Sequence, residues 1–76
     1  MAIQRRVEIG KFDTSISGGI IISKVFSDKG ESLEIRRYSY FGNKTIFRKY
    51  PIYISVNSYE KFIEVLPEPE VLKGLK

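Results

Sequence analysis

The sequence predicts one α+β domain over residues 1–76, a four-stranded antiparallel β-meander followed by a C-terminal helix broken at Pro67–Pro69. Three observations predict it. Stretches that alternate apolar and polar residues are separated by short Ser/Asp/Gly/Asn turns. A helix-start signal follows the last alternating stretch. Two prolines then interrupt the helical pattern.

The first strand is expected over about Gln4 to Phe12, with Val7 and Ile9 on one face and Gly10 at a bulge or bend. Asp13 to Gly19, rich in Ser, Thr, Asp and Gly, reads as a loop. The second strand, about Ile20 to Ser27, is apolar on both faces, which places it centrally or against a partner. Ser27-Asp28-Lys29-Gly30 is a hairpin turn leading into a third strand over Glu31 to Phe41. Gly42-Asn43 turns the chain into a long fourth strand, about Lys44 to Ser55. Pro51 cannot donate a ladder hydrogen bond, so it requires an edge, a bulge or a break into two pieces.

Asn57 with Glu60 three residues on has the spacing of a capping box. Tyr59, Phe62, Ile63 and Leu66 then form one helical stripe. Pro67 ends that helix and Pro69 fits the first turn of another, with Val71, Leu72 and Leu75 as its apolar side.

The chain has no cysteine and no histidine. That removes disulfides, thiol chemistry and the usual neutral-pH proton shuttle. Its carboxylates show no acid–base spacing, and no glycine-rich phosphate cradle or metal-ligand cluster stands out. The expectation is a binding protein and not an enzyme, with no cofactor, no metal and no small-molecule substrate. No stretch approaches the ~20 apolar residues of a membrane span. No apolar run follows Arg5-Arg6, so no signal peptide is expected and the reading is intracellular. So short a chain buries only about 60% of its unfolded surface. A second copy is the simplest source of further stability, so a homodimer is expected.

The net charge of +4 is unevenly placed. Residues 1–50 carry ten Lys/Arg against five acids, and residues 51–76 carry three against four. A polyanion partner for the strand region follows. The alternation of Leu33–Tyr40 sets Leu33 and Ile35 on an inward side and Glu34, Arg36, Tyr38 and Tyr40 on an outward side. Lys24 and Phe26 share a face of the second strand, and Phe47, Lys49 and Tyr53 a face of the fourth, whose other side (Tyr50, Ile52, Ile54, Val56) reads as core. Lys11 and Lys29 lie at a strand end and a hairpin tip. Cations interleaved with rings suit single-stranded nucleic acid, whose backbone follows positive charge while its bases stack. The candidate binding residues are Lys11, Lys24, Phe26, Lys29, Arg36, Tyr38, Tyr40 and Lys49. Arg36 is foremost, because a guanidinium both pairs with phosphate and stacks. The alternative is a protein-interaction or assembly module that uses an exposed sheet face or edge.

Three segments in order carry a family resemblance: Ile9-Gly10-Lys11, Leu33-Glu34-Ile35-Arg36-Arg37-Tyr38, and Ile54-Ser55-Val56-Asn57 followed by Tyr59-Glu60-Lys61-Phe62. Together, over about residues 7 to 66, they resemble the positive cofactor four transcriptional coactivator family of single-stranded DNA binding proteins. The resemblance implies a homodimer of curved four-stranded sheets that binds single-stranded or melted DNA with little sequence preference. By position it implies a phosphate contact for Arg36, the first-strand lysine for Lys11, a stacking aromatic for Phe26 and a hairpin cation for Lys29. The family's tryptophan after the tyrosine is Ser39 here, with Tyr40 one residue later.

Overall fold

In the computed structural model, which describes residues 2–75, one antiparallel sheet runs in the order β1-β2-β3-β4. The strands are β1 (Ile3–Ser15), β2 (Gly18–Ser27), β3 (Gly30–Phe41), β4 (Lys44–Phe47) and β5 (Ile52–Ser55). A 3-10 turn at Val56–Ser58 leads into α1 (Tyr59–Glu64) and then α2 (Pro69–Gly74). The predicted α+β meander with a C-terminal helix broken at the prolines is the observed architecture.

The fourth strand is in two pieces, and both lie along β3. β4 pairs with Tyr38–Phe41 and β5 with Ser32–Ile35. Between them Tyr50 takes a left-handed φ of 64°, and Pro51 follows. The prolyl nitrogen has no hydrogen to give the ladder, and the chain is off the β3 ladder over residues 48–51, rejoining it at Ile52.

Two boundaries differ from the sequence expectation. Asp13 to Gly19 is not a loop. β1 continues to Ser15 and β2 begins at Gly18, leaving a two-residue turn. Its hydroxyls stabilise it: Ser15 Oγ accepts from the Ser17 backbone N–H at 3.2 Å. The Asn57 cap is the second. Ser55 Oγ accepts from the Asn57 backbone N–H at 3.3 Å, while Ser58 precedes α1 without a side-chain cap. The chain enters through a 3-10 turn, which shifts every helical position past the predicted box. α1 closes at Glu64, leaving Leu66 outside it.

Paired residues of an antiparallel sheet point to the same side, so the register defines two faces. One carries Arg6, Lys11 and Asp13 of β1, Gly19, Ile21, Ser23 and Val25 of β2, Glu34, Arg36, Tyr38 and Tyr40 of β3, Phe47 of β4 and Tyr53 of β5. The reverse carries Val7, Phe12, Ile20, Ile22, Leu33, Ile35, Ile46, Ile52 and Ile54. Alternation along β3 therefore sorts its residues as the sequence indicates, but the inward sense is inverted. The polar face holds the buried groups: Glu34 and Val25 (both 0% exposed), Ser23, Tyr38 and Ile21. The apolar face leaves Phe12 53% and Ile52 58% exposed. The expected core set of Tyr50, Ile52, Ile54 and Val56 is likewise not a core, since Tyr50, Ile52 and Val56 are exposed and only Ile54 is half-buried.

The 3-10 turn and α1 cover one end of the apolar face. Val56, Tyr59 and Glu60 line a cavity of about 430 Å³ with Ile9, Lys24 and Leu33. Thus the polar face is roofed by its own long side chains and the apolar face only in part by α1.

Candidate nucleic-acid interface

Small residues on β2 let long side chains from β1 and β3 meet above it. Arg6 donates from Nε and Nη2 to the two carboxylate oxygens of Glu34 at 2.8 and 3.1 Å. Tyr53 Oη donates to Glu34 Oε2 at 2.8 Å. Burial pushes the Glu34 carboxyl up, but the hydrogen bonds from Arg6 and Tyr53 and the charges of Arg6 and Arg36 outweigh it and hold it below the usual carboxylate value. The Tyr53 phenol is pushed up, by burial first and then by its bond to that carboxylate.

A second crossing lies at Gly19. Tyr38 and Tyr40 both donate to Asp13 Oδ1, at 2.6 and 2.8 Å. These bonds hold the Asp13 carboxyl below its ordinary value, the Tyr38 bond most strongly, and burial with Asp13 pushes the Tyr38 phenol upward. A Cβ at Gly19 would lie 2.5 Å from Tyr38 Oη and collide with the Phe12 carbonyl oxygen. Asp13 reaches this face through a β-bulge. The register slips between Glu8 and Gly10, so Lys11 and Asp13 join the side of Arg6 instead of continuing the side of Val7.

Cations lie against rings along this face. The Arg36 guanidinium carbon is 4.1 Å from the Phe47 ring centre, and Lys11 Nζ is 5.0 Å from that of Tyr38. Tyr38 and Tyr40 meet edge to face at 5.4 Å. Arg36 Nε lies 2.9 Å from Glu34 Oε1 as an ion pair, yet it donates no hydrogen bond.

Of the eight candidate residues, Lys11, Arg36, Tyr38 and Tyr40 come together on the polar face. Tyr38 is only 3% exposed, so its ring supports the others from beneath. Lys24 and Phe26 are on the reverse face, with Lys24 Nζ 5.1 Å and the Arg5 guanidinium 4.5 Å from the Phe26 ring centre. Lys24 also pairs with Glu31 at 3.4 Å. Lys29 is at the β2–β3 turn, and Lys49 lies in the break between β4 and β5, not on a strand with Phe47 and Tyr53. Sequence reasoning missed the organising roles of Asp13, Arg6 and Ser23, because a bulge and a crossing over β2 leave no spacing signal.

Among the described residues no group of three carboxylates forms a metal-ligand cluster, and no helix is long and apolar enough to cross a membrane. No family model, no curated protein and no solved structure matches this chain.

Proposed function

We propose that this chain binds single-stranded DNA or RNA with little sequence preference, as a homodimer and without catalysis, in the manner of a transcriptional coactivator of the single-strand-binding kind. The observation that carries this reading is Arg36 laid over Phe47 on a sheet face that no helix covers. A guanidinium already stacked on a ring keeps its outer edge for phosphate, and Phe47, 46% exposed, keeps surface for a base. Lys11 and Tyr40 extend the same chemistry toward β1. The family resemblance of Leu33–Tyr38 supports the same conclusion.

The homodimer is supported by surface and shape. A compact 8.8 kDa monomer would expose about 4,800 Å², and this chain exposes 6352 Å². Its radius of gyration is 14.5 Å, where about 11 Å is usual for this length. The excess is comparable to one partner's share of a large obligate interface. The half-covered apolar face of Phe12, Ile46 and Ile52 is where a second copy fits. The same face favours the second reading, an assembly module for a different protein.

The test is a titration of labelled single-stranded oligonucleotide at two salt concentrations. Binding should fall with log salt at about −0.7 per phosphate contacted and should exceed binding to duplex of the same length. Absence of binding at low salt, or preference for duplex, would overturn the reading.

A further inference from the structure

Two cavities at the break between β4 and β5 have Arg37 and Arg48 in common. One, of about 230 Å³, is lined by the hydroxyl residues Thr14, Ser15, Ser17 and Ser39. The other, of about 390 Å³, is lined by Phe47, Lys49 and Tyr50. No acidic residue lines either one. Asp13, the nearest acid in sequence, is engaged by the hydroxyls of Tyr38 and Tyr40.

The geometry points to a nucleotide subsite here, with a phosphate held between Arg37 and Arg48 against the hydroxyls and its base on the ring of Tyr50. This rests on the single-strand reading above and adds a position to it that is separate from Arg36. Arg37 and Arg48 have no carboxylate partner among the described residues, whereas Arg6 and the Nε of Arg36 each pair with Glu34. Arg48 is set in place by its backbone, which donates to the Arg37 carbonyl at 2.9 Å, and its Nη1 lies 3.4 Å from Ser39 Oγ. Two guanidiniums and several hydroxyls without a competing anion form a set of donors matched to phosphate oxygens. Tyr50 supplies the second observation. It is 89% exposed and held at φ 64°, a left-handed conformation that is costly for a residue with a Cβ. The aromatic ring thereby stands free beside the guanidiniums, with no packing to explain it.

The experiment measures fluorescence anisotropy of labelled single strands, with a 5′-phosphate or a 5′-hydroxyl, against the wild type and the Arg37→Ala/Arg48→Ala, Arg48→Lys and Lys44→Ala variants. The double variant should bind about tenfold more weakly and lower the salt slope by roughly 0.7 to 1.4. Arg48→Lys should keep most of the slope, and Lys44→Ala should match the wild type. If the ligand is a terminal phosphate, the 5′-phosphorylated strand binds tighter and the double variant erases the difference. If it is a chain phosphodiester, both strands weaken equally. Should the double variant lose its far-ultraviolet circular dichroism, titration of inorganic phosphate into the wild type replaces it, followed through the Arg37, Arg48 and Ser39 amide resonances. Wild-type binding with an unchanged slope in the folded double variant overturns the subsite alone, as do phosphate-insensitive amides. A wild type that binds no single strand overturns the functional reading beneath it.

Discussion

Arg6 on β1 spans the whole width of β2 to hold Glu34 on β3 through two hydrogen bonds of 2.8 and 3.1 Å. The crossing is possible because β2 presents Ser23 and Val25 beneath it. With Tyr53 added from β5, one fully buried carboxylate ties together three strands.

Glu34→Ala should therefore destabilise the fold strongly. It leaves the half-buried Arg36 without its counter-charge and releases Arg6 and Tyr53. A loss of about 3 kcal/mol is expected, the scale for breaking a buried pair by removing one member. Urea denaturation measures it, and a loss below about 1 kcal/mol would show that the network is ornamental to stability.

Acid should act through the same groups. Glu34 and Asp13 both have folded values below their ordinary ones, so the unfolded chain binds more protons as pH falls. Their stabilisation is complete above the ordinary carboxylate value of about 4 and is lost as pH drops through the lowered folded values. The urea midpoint should fall steeply below about pH 4 in the wild type and less steeply in Glu34→Gln and Asp13→Asn. Parallel pH curves would refute the assignment.

Gly19→Ala should cost about 3 kcal/mol, since the added methyl meets the backbone of β1 and displaces Tyr38 Oη from Asp13. Gly10→Ala, which meets nothing within 4 Å, is the comparison. Thermal melts of the two variants should separate clearly.

Arg36→Ala and Phe47→Ala should each weaken single-strand binding by roughly 1–3 kcal/mol, and Arg36→Ala should also lower the salt slope by about 0.7. Both should retain a sheet circular dichroism spectrum. An unfolded Arg36→Ala protein would make its contact with Glu34 the residue's main duty.

Phe12→Glu should leave a monomer where the wild type sediments as a dimer. It puts a charge into the exposed apolar face, the surface on which the proposed second copy would sit. The wild-type melting temperature should rise with protein concentration, and that dependence should vanish in the variant.

Much of the fold was legible in the residue pattern. Turn chemistry at Ser27–Gly30 and Gly42-Asn43 placed two hairpins, Pro51 and Pro67 marked the two interruptions, and Pro69 opened the last helix, because a residue without an N–H is tolerated in a helix only in its first turn. Alternation sorted Glu34, Arg36, Tyr38 and Tyr40 onto one side of β3. The sequence by itself thus determined the order of elements and the partition of the β3 side chains between two faces, both of which depend on local covalent geometry. Only the tertiary structure decided which face is buried, that the bulge at Ile9 delivers Asp13 to Tyr38, and that Arg48 in the break meets Arg37 of β3. Those outcomes depend on register between strands distant in sequence, where a one-residue slip reverses every side chain and no local preference records the choice.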